Sequence, residues 1–217
     1  MSPRRSGGSE RSSEIMMGAA RLFRERGIKS VSIDEIVQAV GIAKGTFYLY
    51  FRTKDELLAK MAEAVIGRMA EAVEAAGQGD GDVIGCFVNA IVAMRSVDRD
   101  EQYLADALNH PDNSALHELA NMALVRQVAP VLAAIVERGK ATGIFNVEDT
   151  LSTMEFMLAG QAALLGGGRF NWSADEQTAR LRATLIIMER ALGASQDSLL
   201  VPLMDIFAGG DRDAADE

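Results

Sequence analysis

Spacing alone marks three helix boundaries within residues 31–56. Ser32 stands three residues before Glu35, and Thr53 three before Glu56. This is the pattern of a capping box, in which a hydroxyl takes an orphan backbone N–H of the first turn and the carboxylate returns to the cap. Val31 and Ile36 flank the first box as a hydrophobic staple. Gly41 lies between the two caps and suits a left-handed turn. A helix begun at Ser32 therefore ends before Gly41, and one begun at Thr53 leaves only residues 43–49 for a helix in between. Such an element is too short to be stable alone. It must be held by what it packs on, and it presents its other face outward.

The stretch GIAKGTFYLYFRTKDELL (41–58) crowds Phe47, Tyr48, Tyr50 and Phe51 into five positions of a chain otherwise sparing with aromatics. Phe47 and Phe51, four apart, share a face and form the floor beneath the short helix. Tyr48 and Tyr50 lie along its edge with their hydroxyls directed outward. Lys44, Gly45 and Thr46 occupy the first turn, where free backbone N–H groups and the helix dipole favour an anion. Lys54 opens the next helix against the macrodipole. Beside this cluster it reads as a phosphate contact.

The rest of the chain also reads as helix. Periodicity and caps predict helices near 12–26, 32–39, 43–49, 53–76, 82–96, 100–109, 113–140, 147–165 and 173–193. No segment alternates with period two, so the fold class is all-α with about nine helices. Residues 1–10 read as a disordered arm and 196–217 as a tail, whose acidic end GGDRDAADE (209–217) also reads as disordered. The first helix carries the stripe Ile15, Ala19, Leu22 and Phe23. The stripes Leu151, Met154, Leu158, Ala162, Leu165 and Leu181, Leu185, Met188, Leu192 pack the last two helices on the body. Phe156, Met157, Leu164, Ile186 and Ile187 lie off those stripes and need cover of their own. A second copy would supply it in a four-helix bundle, and the predicted helix 113–140 or the segment LLVPLMDIF (199–207) is the alternative within one chain.

Charge is polarised. The net charge is −9, yet residues 1–60 carry 11 basic and 7 acidic side chains, against 11 and 24 in the remainder. A mildly basic head thus joins an acidic body. The single cysteine, Cys86, excludes an internal disulfide and fits a reducing cytoplasm. No apolar run is read as reaching the roughly 18 residues of a membrane helix, so no membrane partner is expected. GIAKGT lacks the GKS/GKT end of a phosphate loop, and no GxSxG, HExxH or CxxC occurs, so no enzyme is expected. His110 and His117, with Asp106 and Asp112 nearby, are seven apart and separated by Pro111, which argues against a metal site. No cofactor is expected. Trp172, beside Arg169, anchors its loop.

The stretch 41–58 resembles the helix-turn-helix signature of the tetracycline-repressor (TetR) family of bacterial transcriptional regulators. IMMGAARLFRERGIKSVSIDEIVQAV (15–40) resembles that family's first two helices. TGIFNVED and TLIIMERALG resemble the family's later helices more loosely. One departure is Val37, where such motifs commonly carry alanine. The resemblance implies an N-terminal three-helix helix-turn-helix domain (11–54) and a helical ligand-binding and dimerisation domain (55–195). It makes Ser32, Lys44, Gly45, Thr46, Tyr48, Tyr50 and Lys54 the DNA-contacting set, with Lys44 able to reach guanine and Thr46 a thymine methyl. Arg4, Arg5 and Arg11 are either backbone or minor-groove contacts or ordinary solvated charge.

The resemblance further implies a cytoplasmic repressor that binds double-stranded DNA at a palindromic operator as a homodimer. A small, mainly apolar effector would release it. Phe87, Met94, Tyr103, His117, Met122 and Phe156 are the candidate lining of the effector pocket, or else plain core. Met157, Leu164, Ile186 and Ile187 are the candidate dimer interface. A DNA-binding dimer without a ligand, and an activator of the same fold, remain open alternatives.

Overall fold

The structure is a computed structural model that describes residues 6–79, 82–95, 104, 114–165 and 170–213. Among these residues it is all-α, with nine helices and no strand. They are α1 Ser6–Arg26, α2 Ile33–Val40, α3 Lys44–Tyr50, α4 Lys54–Gly77, α5 Val83–Arg95, α6 Ser114–Ala141, α7 Thr150–Leu165, α8 Ala174–Ala191 and α9 Leu200–Asp213. The predicted helix 100–109 lies outside the described residues except for the buried Leu104.

The caps act as their spacing requires. Ser32 Oγ accepts the Glu35 N–H at 3.3 Å, and Glu35 Oε2 accepts the Ser32 N–H at 2.8 Å. Gly41 ends α2 at φ 74°, the left-handed region that favours glycine. At α4 the Thr53 hydroxyl accepts the Glu56 N–H at 3.0 Å. Glu56 returns one residue further back than the box requires, accepting the Arg52 N–H at 2.7 Å.

The head is α1–α3 around Ile15, Ala19, Phe23, Val31, Ile36, Phe47 and Phe51, all buried. Val37 is buried too, so its extra bulk is accommodated at the α2 packing face. The 24-residue α4 spans about 36 Å at 1.5 Å per residue. Its N-terminal end packs Leu57 and Leu58 into the core, and its length lies against α5 and α6. Near its C-terminal end Gly77 lets α6 approach, since a methyl group there would run into Ile135. Phe87 and Phe145 close the distal core edge to face, centroids 6.0 Å apart.

Three expectations are corrected. α1 begins at Ser6 and runs through Gly7 and Gly8, so residues 6–10, read as part of a disordered arm, belong to this helix. The tail is helical over Leu200–Asp213 because it has a core to join: Leu199, Leu200 and Leu203 are buried, and α9 packs on α5 and α8. Ala115–Ala141 is long and apolar enough to cross a membrane by length and composition. It packs against α4, α5 and α7, and a helix with neighbours on several sides carries apolar residues on several faces.

Candidate nucleic-acid interface

The site rests on two phenylalanines. Phe47 and Phe51 are buried with ring centroids 5.6 Å apart, and they fix α3 to the head from below. Above them the helix turns its other side to solvent. Tyr48 is 47% exposed and stands edge-on to Phe47 at 5.6 Å, so its ring is braced while its face stays open. Lys44 and Gly45 are exposed, and Thr46 and Tyr50 are half-buried. A Cβ on Gly45 would meet nothing within 4 Å, so crowding within this chain does not demand a glycine there.

Electrostatics shape the same surface. The Lys44 ammonium lies 2.7 Å from Asp34 Oδ1, joining α3 to the first turn of α2. The hydrogen bond that Lys44 donates to the Asp34 carboxylate holds the Lys44 pKa above its ordinary value. The Glu35 carboxyl is pulled down to about 2 by the Ser32 backbone N–H, the Ser32 hydroxyl and the Arg26 guanidinium. Arg26 reaches Glu35 at 2.7 Å and ties the end of α1 to the start of α2. The Ser32 hydroxyl also donates to Glu35 at 2.8 Å, so this expected contact residue is engaged in its own cap.

Lys54 departs most from its expected role. Its half-buried ammonium turns inward and donates to the carbonyl oxygens of Ile28 at 2.9 Å and Val31 at 3.0 Å. These acceptors belong to the connection between α1 and α2. The cation placed against the α4 dipole is thus compensated by two carbonyls, which engage two of its donors.

Leu49 was missed by the sequence reading. It is 82% exposed, the most exposed large apolar residue of the head. The signal was available, because a residue two positions from Phe47 falls on the opposite side of a helix.

The candidate ligand set does not converge. Phe87 is fully buried core against Phe145, since its position on α5 faces the distal packing layer. His117 is buried on α6. Met94 borders a cleft of about 250 Å³ among α5–α9. Met122, 49% exposed, borders a different groove between α4 and α6. Phe156 is 77% exposed on α7 and lines neither. Tyr103, His110, Asp106 and Asp112 lie outside the described residues.

Of the candidate interface set, Met157 is buried within this chain because it shares the inward side of α7 with Met154 and Leu158, and it is thereby removed from the exposed face. Ile186 is half-buried, while Leu164 and Ile187 are exposed. The α7–α8 loop is anchored as expected of Trp172. Its indole N–H donates to the Leu164 carbonyl at 3.1 Å, while the ring stacks on Phe170 and beneath Arg180.

A short solvent-facing helix over a buried aromatic floor, preceded by a capped helix and a left-handed glycine, is a helix-turn-helix. The model of bacterial regulatory proteins of the tetR family matches residues 15–61, and that of the tetracyclin repressor-like C-terminal domain matches residues 95–186. The chain belongs to the TetR family of bacterial transcriptional regulators.

YvdT of Bacillus subtilis, an HTH-type transcriptional regulator, is 35% identical over 69 residues, which cover 32% of this chain and 36% of YvdT. The chain thus spans about a third of that relative's length. RolR in complex with resorcinol shares the fold at a TM-score of 0.64 and 22% identity, over 92% of this chain and 96% of RolR. FadR of Thermus thermophilus, a transcriptional repressor in complex with lauroyl-CoA, does so at 0.58 and 19%, over 83% and 94%.

Proposed function

We propose that this chain is a ligand-responsive repressor that binds a palindromic operator as a homodimer, and not an enzyme. The observation that carries the DNA reading is the open side of α3: Lys44, Gly45, Tyr48 and Leu49 stand out over the Phe47–Phe51 floor. Gly45 allows a duplex to approach closely, Tyr48 offers a braced hydroxyl to phosphate, and Leu49 offers an apolar contact to a thymine methyl in the major groove. The acidic body is repelled by phosphate and orients the basic head toward it.

The homodimer reading is supported by α7 and α8, where Phe156, Leu164 and Ile187 are exposed together with Leu151. A second copy placing the same two helices against them would bury that surface about a twofold axis. The effector reading is supported by the small molecules bound in RolR and FadR, which share the fold. In this reading α4 carries the signal. It packs along α5 and α6 and ends at the Lys54 bonds to the head, so a body conformation preferred by ligand would change the spacing of the two α3 helices. The ligand releases DNA by its differential affinity for the two states.

The test is fluorescence anisotropy of the purified protein with DNA from upstream of its own gene, repeated against a compound library. Saturable binding that a compound reverses supports the proposal. Binding that no compound reverses removes the effector, and no binding at low salt removes the function.

A further inference from the structure

Resting on that reading, we propose that the effector site is the cleft among α5–α9. We further propose that it takes a neutral molecule of one or two rings carrying at most one small polar group. Its walls are Ile91, Met94, Leu158, Leu185 and Met188, and the tail helix contributes Phe207. The site therefore lies on the α8–α9 side of the body, where the sequence placed only packing and tail.

Size and chemistry define the ligand class. The cleft holds about 250 Å³, and an apolar cavity of about 150 Å³ accommodates benzene. No charged side chain is among the described lining residues. A carboxylate entering it would lose its hydration without a partner, which is far more costly than burying a neutral ring. The polar exception in the lining is Gln161, whose amide donates to the Thr184 hydroxyl across a long 3.4 Å, while that hydroxyl donates to the Leu181 carbonyl at 2.8 Å. A single ligand hydroxyl can replace this stretched contact at no loss of hydrogen bonding.

The tail helix forms one wall of the cleft. The buried Glu189, on α8 beside the lining residue Met188, accepts N–H groups from Asp197 at 3.0 Å, Leu199 at 2.9 Å and Leu200 at 3.3 Å. The start of α9 is thus fixed to the same helix that forms the cleft. Phe207 lies two turns further along and is half-buried, so its ring forms the α9 side of the cleft.

The experiment uses the full chain with 1-naphthol as probe and 1-naphthoate as its charged counterpart, followed by calorimetry and stopped-flow fluorescence. Saturable 1-naphthol binding, at least tenfold tighter than 1-naphthoate, is expected. Ala162→Phe, which fills the cleft, should weaken 1-naphthol at least tenfold, and Phe207→Ala should speed its dissociation several-fold. Should Ala162→Phe fail to fold, the Phe207→Ala dissociation rate decides. Absence of saturable binding to the wild type, equal binding of 1-naphthoate, a folded Ala162→Phe protein that binds as wild type, or an unchanged Phe207→Ala rate would overturn the proposal. Upstream DNA is titrated with the same preparations. If the wild type binds DNA while the probe results fail, only this site assignment falls, whereas absent DNA binding removes the reading beneath it.

Discussion

The Lys54 ammonium, on the first residue of α4, donates to the Ile28 carbonyl oxygen at 2.9 Å. This bond and its companion to Val31 join the helix that runs through the body to the connection between the first two helices of the head. Lys54→Met keeps the aliphatic stem and removes both donors. Hydrogen bonds to a charged group contribute about 1.5–3 kcal/mol each, so thermal unfolding of the head should fall measurably. Operator affinity should weaken while the slope of log K against log salt stays at the wild-type value. A phosphate contact would instead lower that slope by about 1, and such a drop would return Lys54 to the DNA surface.

Tyr48 and Leu49 separate binding from folding. Tyr48→Phe retains the edge contact with Phe47 and removes only a hydroxyl. Leu49→Ala trims a side chain that is 82% exposed. Neither should change stability by more than about 0.5 kcal/mol. Tyr48→Phe should weaken operator and unrelated DNA alike, as loss of a phosphate contact does. Leu49→Ala should weaken the operator selectively, by about 1 kcal/mol or roughly fivefold. Competition titrations against unrelated DNA distinguish the two, and an unselective loss at Leu49 would remove it from base reading.

Glu35 makes the head acid-sensitive. Its carboxyl is lowered from 4.5 to about 2 in the folded chain, first by the Ser32 backbone N–H. The folded state therefore binds this proton less readily than the unfolded state. The stabilisation is complete above about pH 4.5 and fades as pH falls toward 2. Glu35→Gln should lower head stability at pH 7 and flatten its decline between those values. The check is chemical denaturation followed by tyrosine fluorescence at several pH values. An unchanged acid limb would show that the box does not hold the charge.

The exposed faces of α7 and α8 predict assembly. Phe156 is 77% and Ile187 53% exposed. The double variant Phe156→Glu, Ile187→Glu should remain folded and elute as a monomer in light-scattering chromatography at concentrations where the wild type is a dimer. Its operator affinity should drop steeply, because two half-sites are no longer engaged together. A dimeric double variant would move the interface elsewhere.

The head was the most legible part, because its local chemistry and its fold agree. Ser32, Glu35 and Gly41 sit where the spacing placed them, and Phe47 and Phe51 are the floor their separation required. Direction beyond the first turn was harder to read. Lys54 has the position of a surface cation, and only the fold brings the Ile28 and Val31 carbonyls beneath it. In the body, Phe87 and Met94 are both apolar residues on α5, and nothing in a linear pattern separates a residue facing Phe145 from one facing a cleft. Only the acidic end of the tail, 209–217, looked unstructured by composition, yet the helix runs to Asp213. The tail is helical because Glu189, in the preceding helix, supplies acceptors for N–H groups at and just before its start, and no local propensity encodes that partner.

The central claim is that the open side of α3 grips DNA, and salt-dependent anisotropy with the upstream fragment tests it most directly. The wild type should bind saturably, with log K falling linearly as log salt rises. A folded Lys44→Ala, Tyr48→Ala protein should lose at least tenfold in affinity and part of that slope. Wild-type protein that fails to bind at 50 mM salt (about the low end of the usual range), or a folded double variant that binds as tightly with the same slope, would contradict the account.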